Sequence, residues 1–259
     1  MSAGIHPSAL VDPAVELGAG VEIGPFAVVG PGVRLGDRVR IGHHASVLGP
    51  SVIGADTQVF PFASIGSAPQ DLTYKGEPTR LEVGERNVFR EFVTINRGTV
   101  KGGGVTRIGS DCFFMSYAHV AHDSTIGSHV IMANCAALAG HIRIDDHAIL
   151  GGLVAVHQWA RVGRMAMIGG VSGVALDVPP FCIASGERAK LYGLNLVGLR
   201  RHGFTEERLT DLKRAYRILF REGRTLKAAM ETVERELPDS PEAAELLEFI
   251  STTRRGITR

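Results

Sequence analysis

An aliphatic residue returns every six positions through most of this chain. From Ile5 it recurs at Val11, Leu17, Ile23, Val29, Leu35, Ile41, Val47, Ile53, Val59 and Ile65 without a missed step, and Val83, Phe89 and Ile95 keep the same phase. After a seven-residue break the series resumes one residue out of step at Ile108, then Phe114, Val120, Ile126, Met132, Leu138, Ile144, Leu150, Val156, Val162, Ile168 and Val174. The next position is often glycine, as at Gly18, Gly24, Gly30, Gly36, Gly42, Gly54 and Gly66. A period of six matches neither the 3.6 of a helix nor the alternation of a half-buried strand. It suits a solenoid of short strands and tight turns, in which one inward aliphatic per strand stacks on its equivalents in neighbouring coils. Three hexapeptides make a triangular coil, so the expected main domain is all-β, a left-handed parallel β-helix. An all-β sandwich, the alternative, would not keep this register.

Two stretches break the repeat, roughly 69–80 (PQDLTYKGEPTR) and 101–107 (KGGGVTR). Their Gly, Pro and charge mark projecting loops, where a regular scaffold usually places function. From about residue 188 helical signals replace the hexapeptides. Thr205 can cap a helix with Glu206 and Glu207 in its first turn, Gly223 can end it, and Ser240-Pro241-Glu242 reads as another start. The chain therefore divides into a β-helical domain over 1–187 and a helical domain of three or four helices over 188–259.

With 259 residues the chain can bury a large core, and its formal net charge of +1 gives no reason to expect a nucleic-acid partner. Cys112, Cys135 and Cys182 have neither disulfide nor zinc-ligand spacing, which fits a reducing cytoplasm. The N-terminus lacks the features of a signal peptide, and no window is apolar enough for a membrane span. A cytoplasmic protein with no integral membrane segment is expected.

If one coil is 18 residues, residues 18 apart lie one above the other at about 4.8 Å. Asp123 then lies under His141, and His122 under Gly140, which lies under Gln158. One side of the prism collects His119, His122, Asp123, His141, His157 and Gln158. His6, His43, His44, His129 and His147 read as turn histidines that hydrogen-bond to neighbouring coils. His122 differs, because a carboxylate follows it and a loop precedes its coil. A neutral imidazole accepts a proton from an alcohol when its other nitrogen is held by an acceptor, and Asp123 or a backbone carbonyl can be that acceptor. The Gly140 N–H is a candidate oxyanion donor. Base and oxyanion donor together point to acyl transfer. Ser116, Ser124 and Cys112 lie in no nucleophile elbow, which favours direct attack by a substrate hydroxyl on a thioester.

QDLTYKGEPTR (70–80), NRGTVKGGG (96–104), AHVAHDSTIG (118–127), LAGHIRIDD (138–146), AVHQW (155–159), GGVSGVALDVPPF (169–181) and GLNLVGLRRHGF (193–204) together resemble the bacterial UDP-N-acetylglucosamine acyltransferases that begin lipid A biosynthesis. The resemblance covers nearly the whole chain. It implies a homotrimer with sites between subunits, no cofactor beyond the carrier's phosphopantetheine, and transfer of an (R)-3-hydroxyacyl group from acyl carrier protein to the 3-hydroxyl of UDP-N-acetylglucosamine. It also implies roles: His122 as general base, Asp123 as its orienting partner and Gly140 at the oxyanion position. Asp71 matches a sugar contact, His119, His141, His157 and Gln158 match residues lining the sugar and acyl site, and Asn195 and Arg201 match nucleotide contacts. Thr73, Val197 and His202 stand where many relatives have Lys, Glu and a second Arg. These departures allow a 3-amino sugar as acceptor, with an amide as product.

Gly170 lies two and two-thirds coils beyond His122, roughly 13 Å along the axis. Without a side chain it leaves room for a long acyl tail, nearer fourteen carbons than ten. Residues 208–227 hold seven Lys/Arg against two Asp/Glu, a candidate docking face for an acidic carrier protein. The rivals are the sibling glucosamine N-acyltransferase, which usually carries an extra N-terminal domain, and a zinc-dependent trimeric β-helix enzyme with three protein ligands per metal. The pattern His122, Asp123 and the surrounding motifs favour no metal.

Overall fold

In a computed structural model, residues 4–259 of the chain are described. The inward aliphatics dictate a parallel β-helix: among the described residues, three faces of ten, nine and eight short parallel strands, in which nearly every strand pairs with the one three further along the chain. The first face gains one antiparallel strand at its end. Most strands are only two residues long, and their second residue points inward. Ile23, Ile41, Val59, Phe89, Phe114 and Met132 form one such column, each at most 3% exposed. Most strands pair with the one 18 residues on, as Gly4 with Glu22 and His119 with Ala137.

That offset lengthens twice, and shortens to 16 where Met167 pairs with Ile183. Ser51 pairs with Leu81, an offset of 30, and Arg80 pairs with Val105, an offset of 25. The two inserts are therefore pushed out where the chain turns from the second face to the third, without disturbing the coil beyond them.

Three columns of turns form the corners. Turn residues there take positive φ: Phe62, Phe92 and Tyr117 at one corner, Arg86, Asp111 and His129 at a second, Asp123, His141 and Trp159 at the third. Asp and His tolerate this conformation better than bulky residues, and the coil imposes it on both. Stacking repays part of the cost, since Phe26, His44, Phe62, Phe92 and Tyr117 form one continuous column at 4.8–5.2 Å between rings. His44, His129 and His147 belong to such stacks, His43 meets His44 and Phe62 edge-on, and His6 bonds Ser8.

The parallel coils continue to Cys182–Ser185, which pairs with Met167–Ile168. Lys190–Leu194 then folds back antiparallel on that strand, so the helices begin at Leu196. They are α1 (Leu196–Arg201), α2 (Glu206–Phe220), α3 (Leu226–Glu236) and α4 (Pro241–Ser251). Thr205, Thr225 and Ser240 cap the last three, each accepting a backbone N–H from the first turn. Helix α2 stops at Phe220, three residues before Gly223. A second apolar cluster joins these helices to Met165 and Phe181 and covers the end of the prism.

Candidate active site

The His122 imidazole and the Asp123 carboxylate occupy the corner between the second and third faces. His122 Nδ1 donates to Asp123 Oδ2 at 2.8 Å. The Asp123 side chain has no exposed surface, whereas 13% of the His122 side chain is exposed. Three other groups hold the carboxylate and its backbone. The Thr99 N–H and hydroxyl donate to Oδ1 and Oδ2 at 2.7 and 2.6 Å, and the Asp123 N–H donates to Thr106 Oγ1. Thr99 also caps the 3-10 turn Val100–Gly102, so the second insert is fastened directly to the carboxylate. At Gly102 a Cβ would fall 2.0 Å from Asp123 Cγ, which explains a glycine there. Thr99, Thr106 and Gly102 were not among the residues read from the sequence, since nothing local distinguishes them from ordinary loop residues.

With Nδ1 engaged as a donor, His122 Nε2 is the nitrogen left to accept a proton. It has no partner among the described residues. The ring lies against Gly140, where a Cβ would come 2.5 Å from His122 Cε1 and 2.9 Å from Nε2. The Gly140 N–H bonds no acceptor among the described residues, while its carbonyl accepts from the Trp159 N–H at 3.3 Å. Gly140 thus makes room for the imidazole and leaves a free N–H beside it.

His141 follows on the same corner. Its ring stands edge-on to His122 at 5.1 Å, and its Nδ1 lies 3.7 Å from Asp123 Oδ2. Burial pushes the His141 imidazole below its usual pKa; Asp123 opposes this and the charge of His122 adds to it. His119 sits on the second face, with Nδ1 2.7 Å from Thr94 Oγ1, and burial again lowers its pKa. Asp71, in the first insert, accepts the Thr73 N–H and hydroxyl at 2.7 and 2.8 Å, and Lys101 of the second insert donates to Thr73 Oγ1. The Thr73 bonds hold Asp71 below the ordinary carboxylate range, with lesser help from the charges of Lys101 and His122. His157 and Gln158 are exposed one coil above, and His157 Nδ1 contacts the Gln158 carbonyl oxygen.

The remaining expected residues lie elsewhere on the prism. Asn195 is buried as the cap of α1, accepting from the Gly198 N–H and donating to the Met165 carbonyl. Arg201 is exposed and makes no ion pair among the described residues. Both belong to the second corner, where the His202 ring meets His147 at 4.8 Å. Gly170 is exposed at the first corner, its missing Cβ 3.2 Å from the Gly152 carbonyl oxygen. Between His119 and that corner the outer surface of the second face carries only small residues, since Ala137, Ala155 and Gly173 follow His119 in register.

The basic stretch 208–227 is largely compensated by carboxylates the linear count does not see. Arg208 pairs with Glu242, Arg214 with Glu236, and Arg217 and Arg224 with Glu222, while Arg221 bonds the Tyr216 hydroxyl and the Leu191 carbonyl.

His122, Asp123 and His141 bring one potential ligand atom each to within 4.8 Å of one another. A metal there would have to displace the hydrogen bonds from His122 and Thr99 that already fill the carboxylate. The pair is better suited to moving a proton.

The repeat defines the class. A family model of the bacterial transferase hexapeptide repeat matches residues 14–49 and 106–140. The second domain of UDP-N-acetylglucosamine O-acyltransferase matches residues 177–258. A curated relative from Thermodesulfovibrio yellowstonii, named acyl-[acyl-carrier-protein]–UDP-N-acetylglucosamine O-acyltransferase, is 52% identical over 255 residues, covering 98% of this chain and 99% of its own. One of the same name from Anaeromyxobacter is 51% identical over the same shares. The solved UDP-N-acetylglucosamine acyltransferase of Bacteroides fragilis superposes with a TM-score of 0.96 at 42% identity, covering 98% of this chain and 99% of that one. The Francisella novicida enzyme gives 0.96 at 37%, covering 98% and 94%. The chain belongs to the UDP-N-acetylglucosamine O-acyltransferase family and is an acyltransferase.

Proposed function

We propose that the chain transfers an (R)-3-hydroxyacyl group from acyl carrier protein to the 3-hydroxyl of UDP-N-acetylglucosamine, the first step of lipid A biosynthesis, with His122 as general base. The observation that carries this reading is the 2.8 Å His122–Asp123 pair, which leaves Nε2 as the proton acceptor beside the unpaired Gly140 N–H. The names of relatives half identical over the full length supply the substrates.

In this mechanism Nε2 takes the proton of the sugar hydroxyl as its oxygen attacks the thioester carbonyl. The tetrahedral oxyanion accepts a hydrogen bond from the Gly140 N–H. Collapse expels the phosphopantetheine thiolate, which recovers the proton from the imidazolium, so no acyl-enzyme and no further cofactor are needed. Asp123 keeps Nδ1 protonated and stabilises the imidazolium, as the carboxylate of a catalytic triad does. Asp71, His119, His141, His157 and Gln158 line the sugar and acyl site. The strip Ala137, Ala155 and Gly173 is a floor for the acyl chain, ending near Gly170.

Asn195 and Arg201 lie on a different corner from His122, and nucleotide contacts there reach the same substrate only if another copy supplies them. That supports a homotrimer with sites between subunits; a left-handed coil and a cytoplasmic place of work belong to the same reading. The division into a β-helical domain to residue 187 and a helical one from 188 belongs to the same reading.

The test is mass spectrometry of purified protein with UDP-N-acetylglucosamine and 3-hydroxyacyl carrier proteins of mixed length. A mono-acylated, base-labile product is expected, with fourteen-carbon donors preferred over ten, and Gly170→Met should shorten the preferred chain. A base-stable amide formed only when the 3-amino analogue of the sugar nucleotide is supplied in its place would replace the hydroxyl with a 3-amino acceptor, and no product from either acceptor would overturn the reading.

A further inference from the structure

Trp159 is the only tryptophan of the chain, and half of its surface is exposed at the active-site corner (52%). It lies one coil above His141, and the two rings stack at 3.9 Å with 3° between their planes. Other corner stacks are looser, 4.6 Å for His129 on His147 and 4.8 Å for Phe92 on Tyr117. The stack also sits where ring orientation matters. Asp123 Oδ2 accepts from His122 Nδ1 at 2.8 Å, and His141 Nδ1 stands 3.7 Å from the same oxygen. At that distance His141 makes no hydrogen bond. A modest turn of its ring would make it a competitor for the carboxylate that orients His122.

We propose that Trp159 is a positioning residue whose indole holds the His141 ring flat beneath it and at right angles to His122, so that of the two imidazoles only His122 bonds Asp123. The proposal rests on His122 being the base. Charged and titratable groups reach His141 from two sides: Asp123 and His122 from the coil below, and Asp71 from the first insert. From the coil above the uncharged indole covers its ring. Burial keeps the His141 imidazole below its usual range, although both carboxylates pull the other way. Removing the indole admits water to one ring face, which favours the protonated ring. An imidazolium is drawn to Asp123 by a charge-assisted bond. His122 then loses its partner and its fixed tautomer, so turnover should fail at a pH where the native enzyme still works.

A single tryptophan makes the stack directly observable, because a protonated imidazole in contact quenches indole emission. In the full-length protein, emission should fall on acidification with a midpoint below about 6.5, the ordinary histidine value, and His141→Asn should abolish that titration. In Trp159→Ala the acid limb of kcat should move up by about half to one pH unit, costing roughly three- to tenfold near pH 6 and converging on the native rate at alkaline pH. Trp159→Phe, which keeps a stacking ring, should restore the native profile. An emission titration unchanged by His141→Asn would overturn the proposal. So would a Trp159→Ala profile that is unmoved, or lowered equally at every pH. If His122→Ala instead retained full activity, the base assignment would fail while the emission titration still stood.

Discussion

Gly140 illustrates how one position answers to two demands. Its N–H is free to receive an oxyanion, and the volume its side chain would take is filled by the His122 ring. Gly140→Ala places a Cβ 2.5 Å from His122 Cε1, so the imidazole must move. A displacement of this size at the reacting centre costs on the order of a hundredfold in rate, with the fold retained. Steady-state kcat beside a thermal melt checks this, and a rate within twofold of native would show that the ring has room to spare. The sequence made His122, Asp123, Gly140 and His141 legible because an 18-residue coil converts spacing into stacking. It did not reveal Thr99 and Thr106, which bond Asp123 from 24 and 17 residues away across an irregular insert. Nor did it weigh Trp159, whose significance lies in a ring contact no spacing rule specifies.

At the scale of elements, the inward hexapeptide positions were readable because each coil imposes the same burial on the same residue. Helix starts at Thr205 and Ser240 were readable because capping is local. The strand Lys190–Leu194 was not, since its pairing with Cys182–Ser185 is a return contact outside the six-residue period. What fastens the helices to the prism was equally hidden. Asp177 is 1% exposed and accepts from the Arg161 N–H, Arg161 Nε and the Thr253 hydroxyl, while Arg161 Nη1 and Nη2 donate to Thr252 Oγ1 and the Phe249 carbonyl. Asp177→Ala leaves a largely buried guanidinium unpaired and should cost about 3–5 kcal/mol. Hydrogen exchange in α4 reads this as lost amide protection, and protection within about 1 kcal/mol of native would assign the docking to apolar packing instead.

Across the whole molecule, the prism separates what the linear sequence runs together. The base and its carboxylate take the third corner, Asn195 and Arg201 the second, and Gly170 the first. The sequence supplied the residue types but not this partition, because it depends on where each falls within a coil. The same distinction explains the stretch 208–227, whose seven basic residues look like a free patch in the sequence but mostly meet carboxylates in the fold. No helix is long and apolar enough to cross a membrane among the described residues. The most direct test is the turnover of His122→Ala at saturating acceptor and donor, with the variant's melting temperature matched to native. General-base catalysis at this corner predicts a fall of about 10²–10⁴-fold in kcat, and a rate within a few fold of native would place the chemistry on another group.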